Sequence, residues 1–231
     1  MAESSQQSDL RIPEDDFQQT ADDREPGGAA GRSDVDLLRQ AVMNEKAAPE
    51  LLHYETDLIN RIEQMLDYQD EQVELQQDNP AMEELCLMWT VELSRIRYYL
   101  RDYFRVRLRK VEKFVMHLLD NPDLAARMSD KETNYAREFF VLSGSHLKST
   151  AANHLPEAFA SIVRSAGASA AKDLVPAPCL DRHVFCRVLE DRGHVTVDEE
   201  GNMAEFNKGD LFVIRYQPIR ELLQEKVVQL C

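Results

Sequence analysis

The chain has 231 residues, 43% of them hydrophobic, and carries 42 Asp and Glu against 27 Lys and Arg, a formal net charge of -15. That length accommodates one large domain or two smaller ones with separate cores, and two is the expectation. The acidity argues against a free-standing nucleic-acid binder, because phosphates reward a basic surface, and it favours solubility and basic protein partners.

No stretch approaches the ~18 apolar residues of a membrane span, and the start MAESSQQSDLRIPEDD lacks the pattern of a signal peptide, so a soluble intracellular protein is expected. The four cysteines, Cys86, Cys179, Cys186 and Cys231, are scattered without a C-x-x-C, which fits a reducing compartment such as cytosol or nucleus. Residues 1–32 are acidic, poor in apolar groups and broken by PGGAAG, and are expected to form a disordered tail. A short docking motif around Leu10, Ile12 and Phe17 is the alternative to simple solvation.

Between Ser33 and Ser143 there is no glycine, and the prolines fall where helices begin, so an all-helical domain over 33–155 is predicted. Ser33 with Asp36 caps a helix reaching about Lys46. Pro49 stands in the first turn of a second helix to about Gln77. Asn79-Pro80 opens a third that runs unbroken to about Leu119, roughly 60 Å, long enough to overhang its own domain. Ser129 with Glu132 starts a fourth, ending near Ser149. A linker follows over 156–179, and then the apolar period changes to two. HVFCRVL (183–189), HVTV (194–197) and LFVIRY (211–216) read as strands, PIRELL as one helical turn and KVVQL as a last strand, giving a β-rich domain over 180–231. The fold class is α+β: an N-terminal bundle of long antiparallel helices followed by a small β-rich domain, too small to be very stable undocked.

The stretch RIRYYLRDYFRVRLRKVEKF, residues 95–114, holds eight Lys/Arg and five aromatics. At 100° per residue Ile96, Leu100, Phe104, Leu108, Val111, Val115 and Leu118 share a face, widened by Tyr99, Tyr103 and Phe114. Arg97, Arg101, Arg105, Arg109 and Lys113 follow each other at intervals of four, and such like-charge neighbours cost about 0.2–0.5 kcal/mol per pair. An antiparallel hairpin turning at Asn79 sets residue numbers summing to about 158 opposite each other, which leaves this ladder only Glu45, Glu50, Glu55 and Asp57. Part of its charge is therefore expected to be answered from another chain. Arg107 projects from the centre of the apolar face and calls for a buried or interfacial ion pair, with carboxylates or backbone carbonyls as acceptors. The aromatics lie with the aliphatic face rather than among the arginines, unlike a nucleic-acid stacking platform, so no strong direct nucleic-acid binding by the isolated chain is expected.

MNEKAAPELL (43–52), the 95–114 stretch, YAREFF (135–140), HVFCRV (183–188) and FVIRYQPIRELL (212–223) together resemble the SLD5 subunit family of the eukaryotic GINS complex, in order from about residue 34 to the end. The chain departs from that pattern at Glu225-Lys226, where the family has a glycine before its last strand. The resemblance implies a helical A domain followed by a β-rich B domain and a place in a heterotetramer with the three Psf subunits. It further implies that the tetramer joins Cdc45 and the MCM ring in the CMG helicase, in the nucleus, for initiation and elongation of chromosomal DNA replication. The role implied is a non-catalytic scaffold, with a polymerase-alpha-linked adaptor as a candidate partner of the acidic tail. On this reading Arg97, Tyr98, Tyr99, Arg101, Tyr103, Arg105, Arg107, Arg109, Lys113 and Phe114 serve a subunit interface, against the alternative of packing within the chain. The alternative function is a nuclear helical scaffold or adaptor without a replication role.

No nucleotide-binding, zinc-protease or serine-hydrolase motif occurs. Cys179, His183 and Cys186 are metal-ligand types, but on a strand His183 and Cys186 point to opposite faces. Ser143, Ser145 and His146 lie together without a partner acid, in a helix weakened by Gly144. Neither catalytic residues nor a cofactor nor a metal is therefore expected.

Overall fold

The computed structural model of the chain describes residues 32–77, 79–156, 159–165, 174–197 and 201–231. The acidic stretch through residue 31, with Leu10, Ile12 and Phe17, and part of the expected linker lie outside the described residues. An N-terminal helical bundle is followed by a small C-terminal domain of antiparallel strands and one helix.

Helix α1 spans Asp34–Ala47 and is started by Ser33, whose hydroxyl accepts the Asp36 N–H at 3.2 Å. Helix α2 spans Thr56–Gln76, so the expected start at Pro49 is corrected. Residues 51–55 run outside any helix because the carbonyls of Glu50, Leu51 and Leu52 are taken by cations, as described below, and cannot close i→i−4 bonds. After a 3₁₀ turn at Pro80–Met82, helix α3 runs over Glu83–Asp120, about 57 Å of rise. It is not unbroken: Phe114 leaves helical geometry, with φ −114° and ψ 19°, and the rod bends there. The short α4, Pro122–Ala125, was not foreseen, although Asn121-Pro122 is an ordinary helix start. Helix α5, Asp130–Thr150, opens on a reciprocal capping box between Ser129 and Glu132.

Two apolar clusters hold the bundle. Leu38 and Val42 of α1, Ile59 and Ile62 of α2, and Leu93, Ile96 and Tyr103 of α3 form one. Leu51, Val111, Phe114, Val115, Leu118, Met128 and Ala136 form the other, joining the far half of α3 to α5. The near end of α3 and the end of α2 carry Leu75, Leu87, Met88 and Val91 in the open, as an overhanging rod would.

The C-terminal domain has strands β1 (His183–Val188), β2 (Gly193–Thr196), β3 (Met203–Phe206), β4 (Leu211–Arg215) and β5 (Val228–Leu230), with helix α6 (Tyr216–Gln224) before the last. One antiparallel sheet has the order β4-β1-β5 and a separate hairpin pairs β2 with β3. Strand β3 was unforeseen, since MAEF offers only Ala204 and Phe206 to the core, the first a single methyl group. Tyr216 opens α6 rather than closing β4, and that helix is nine residues instead of one turn: Pro218 sits in its first turn, where no N–H is needed, and Tyr216, Ile219, Leu222 and Leu223 are buried together. Lys226 takes the left-handed conformation, φ 61°, at the turn into β5.

The inner sheet face, Val184, Cys186, Val188, Ile214, Val228 and Leu230, packs with α6 and Phe206 into a core that also takes in Ala47, Ala48 and Leu52 of the helical domain. Strand β5 lies at the sheet edge, and side chains of α1 complete its pairing. Leu230 N–H donates to Asn44 Oδ1 at 2.8 Å, and Gln40 Nε2 donates to Leu230 O at 3.3 Å. Within this core, burial, aided by the neighbouring Cys231 thiol, pushes the Cys186 thiol up to about 11 from 9.0. A raised acidic group stabilises the fold fully below its unfolded value and loses that contribution as pH rises through the folded one. The stability advantage of wild type over Cys186→Ala is thus expected to shrink by roughly 2–3 kcal/mol between pH 8 and pH 11 in urea titrations. A constant difference would contradict it.

Candidate functional site

Arg107 is fully enclosed, and every one of its five N–H groups has an acceptor. Nε and Nη2 grip both oxygens of Glu132 at 2.8 and 3.0 Å, Nη1 reaches Glu45 Oε2 at 3.1 Å and Leu52 O at 2.9 Å, and Nη2 also reaches Arg127 O at 3.0 Å. The Tyr54 and Tyr103 rings flank the guanidinium at 5.2 and 5.5 Å. Burial alone would favour losing the Arg107 charge, but the Glu132 hydrogen bonds and the neighbouring carboxylates outweigh it and hold the group charged. For Tyr103 burial acts the other way and raises the pKa, so its hydroxyl stays neutral and accepts the Glu55 N–H at 3.3 Å.

One turn on, Lys110 donates to Glu45 Oε1 at 2.8 Å, to Glu50 O at 2.7 Å and to Glu45 O. Burial lowers the Lys110 pKa, opposed by Glu45. Glu50, itself buried, continues the chain of charges: Oε1 accepts from Tyr216 Oη at 2.9 Å and Arg220 Nε at 2.7 Å, Oε2 accepts from Arg220 Nη2 at 2.9 Å, and Oε2 is ion-paired with Arg127 Nη1 at 2.9 Å. Arg127 Nη1 also holds Leu51 O at 2.9 Å. Burial raises the Tyr216 hydroxyl, and Glu50 adds to the effect, so it remains a proton donor. Four cations and three carboxylates thus tie together α1, the 48–55 connection, α3, the turn before α5, α5 itself and α6.

The opposite side of α3 has another character. Arg101, Arg105, Arg109 and Lys113 are exposed, and among the described residues the three arginines have no carboxylate within ion-pair distance. Lys113 lies over the Phe114 ring at 5.1 Å. The three like-charge neighbours left along this row cost roughly 1 kcal/mol. At helical spacing the row is continued toward the start of α3 by exposed Tyr98, Val91 and Leu87. The result is one strip, apolar along its first half and cationic along its second.

Two family models match the chain: the GINS complex protein helical bundle domain over residues 51–151, and the DNA replication complex GINS protein SLD5 C-terminus over residues 178–231. The DNA replication complex GINS protein SLD5 of Arabidopsis thaliana is 33% identical over 221 residues, covering 91% of this chain and 99% of the relative. The chain belongs to the SLD5 family of GINS proteins. The human SLD5 is 32% identical over 210 residues, covering 85% of this chain and 88% of its own, and the Dictyostelium discoideum SLD5 is 27% identical over 195 residues.

Within this SLD5-family chain the ten residues marked out from the sequence divide in three. Arg107, Tyr103 and Phe114 are enclosed by their own chain. Arg97 pairs with Asp70 of α2, which the symmetric hairpin register had set too far away. In a helix, side chains lean toward the N-terminus, and in an antiparallel pair this brings Arg97 and Asp70 toward each other along the axis. Tyr99 is half-buried with its edge toward Tyr98, 5.7 Å between centroids. Tyr98, Arg101, Arg105, Arg109 and Lys113 remain open. Lys110, Arg127, Tyr216 and Arg220 were missed. Lys110 alone had a local signal, standing one helical turn after Arg107. His183 is exposed and Cys186 buried, on opposite faces of β1. Replacing Arg107 by Lys keeps the charge but offers three donors to five acceptor positions, and a loss of roughly 3 kcal/mol in urea unfolding is expected. A loss under ~0.5 kcal/mol would contradict the network.

Proposed function

We propose that this chain is a non-catalytic scaffold subunit of GINS, working in nuclear DNA replication as one member of a heterotetramer with three Psf subunits. In this reading the tetramer joins Cdc45 and the MCM ring to form the CMG helicase, and this chain's part is to hold its neighbours in place during initiation and elongation. The observation that carries the reading is the strip along α3, where exposed Arg101, Arg105 and Arg109, which have no carboxylate within ion-pair distance among the described residues, and exposed Lys113 follow directly on exposed Leu87, Val91 and Tyr98. A second helix laid along this strip would bury the apolar half and bring carboxylates to the cationic half. The family relationship over nearly the whole chain supports the choice of GINS as the setting. Among the described residues no helix is long and apolar enough to cross a membrane.

The test is co-expression with the three Psf subunits, followed by size measurement. Arg105→Glu adds repulsion at an exposed position, so it is expected to lower tetramer yield several-fold while leaving the thermal midpoint of the isolated chain within a degree or two. Wild-type tetramer yield from Arg105→Glu together with Arg109→Glu would overturn the assignment of this strip to assembly.

A further inference from the structure

The helical and C-terminal domains meet over contacts of unequal strength. Among the described residues the helical side gives the C-terminal core Ala47, Ala48 and Leu52, two of which bring a single methyl group, so little apolar area is withdrawn from water. Gln40 and Asn44 hold Leu230, Arg32 Nη1 donates to Gln229 Oε1 at a long 3.5 Å, and Lys226 faces Glu55 at 3.7 Å in the open. Glu50 is different in kind. It is buried, and it receives three hydrogen bonds from the first two turns of α6: one from Tyr216 and a two-pronged grip from Arg220. Arg127 holds the same carboxylate from the helical side. A buried carboxylate with directed donors fixes orientation far more sharply than small apolar contacts do.

Two features make this contact separable from the rest. The C-terminal cluster draws on the helical domain at Ala47, Ala48 and Leu52, so opening the contact exposes that edge and leaves the remaining sheet–α6 packing and both helical clusters in place. A water-accessible cavity lined by His117, Asn121, Asp123, Arg127, Arg220 and Gln224 borders the ion pair, and the Arg220 side chain is 31% exposed, so water can solvate Arg220 once it lets go.

We propose that Glu50 is a latch that sets the orientation of the C-terminal domain on the helical domain, and that losing its bonds to Tyr216 and Arg220 releases that domain as a folded unit. The placing of the outer sheet face, with exposed Phe185, Leu211 and Val213, then depends chiefly on the bonds that one carboxylate makes.

The test uses the full chain carrying Tyr216→Phe with Arg220→Ala, or Glu50→Gln, with backbone nitrogen relaxation and amide hydrogen exchange as readouts. The Tyr216→Phe, Arg220→Ala double variant removes all three bonds from α6 and leaves Glu50 paired with Arg127, so it decides the matter even if Glu50→Gln fails to fold. The expected result in the double variant is a shorter rotational correlation time for residues 183–230 than for α2 and α3. With it, protection is lost at the Leu230 amide and kept across the β1–β4 ladder. A single correlation time shared by both domains would overturn the proposal. So would loss of β1–β4 protection, since Tyr216 and Arg220 would then be needed for the fold of the domain rather than for its orientation.

Discussion

One guanidinium ends on acceptors from four separate stretches of chain: Glu45 in α1, Leu52 in the following connection, Arg127 in the turn before α5, and Glu132 in α5. A buried arginine with any N–H left over would cost more than its ion pairs return. The positions of those four stretches are therefore fixed together by Arg107. Glu132 carries the constraint further, because the oxygen that meets Arg107 also accepts the Ser129 N–H in the capping box, so the start of α5 and the centre of the bundle are set by one side chain.

The segment from Asn44 to Leu52 follows from this. Its side chains and carbonyls are drawn in both directions: Glu45 and the carbonyls of Glu45, Glu50 and Leu52 toward α3, Asn44 toward β5, and Glu50 toward α6. A helix through Pro49 to Glu55 would turn those carbonyls along its own axis and away from the cations. The chain stays extended here, and the same residues become the seat of the C-terminal domain. With the inner side of α3 given over to this network, the outer side is left to the exposed cationic and apolar strip. One face of the long helix thus serves internal coherence, and the other stays exposed.

What could be read from the sequence was what short-range chemistry decides. Ser33 and Ser129, with acids three residues on, mark the starts of α1 and α5 because a cap is satisfied within one turn. Arg107 stood out because a charge in the middle of an apolar face has few ways to be accommodated. Its partners did not stand out, since Glu45 and Glu132 lie 62 and 25 residues away and look like any surface acid in a chain this acidic. The start of α2 was misplaced for the same reason: Pro49 is a sound local signal, and a distant cation overrides it. Among the predicted interface residues, helical periodicity located the apolar face but could not tell whether Tyr103 and Phe114 were covered by their own chain or by another. Tyr216 and Arg220 were invisible as partners of Glu50, which lies 166 and 170 residues before them.

The dependence of the fold on a shared ion network, rather than on independent pairs, is most directly measured by a double-mutant cycle on Arg107→Met and Glu132→Gln, with Gln retained so that the cap on α5 survives. If the two groups are buried as one unit, removing the second after the first costs little, and the double variant falls no more than about 1 kcal/mol below Arg107→Met alone, a coupling of several kcal/mol. Losses that simply add, within ~0.5 kcal/mol, would mean that Arg107 and Glu132 act separately and that the network is not what holds these helices in place.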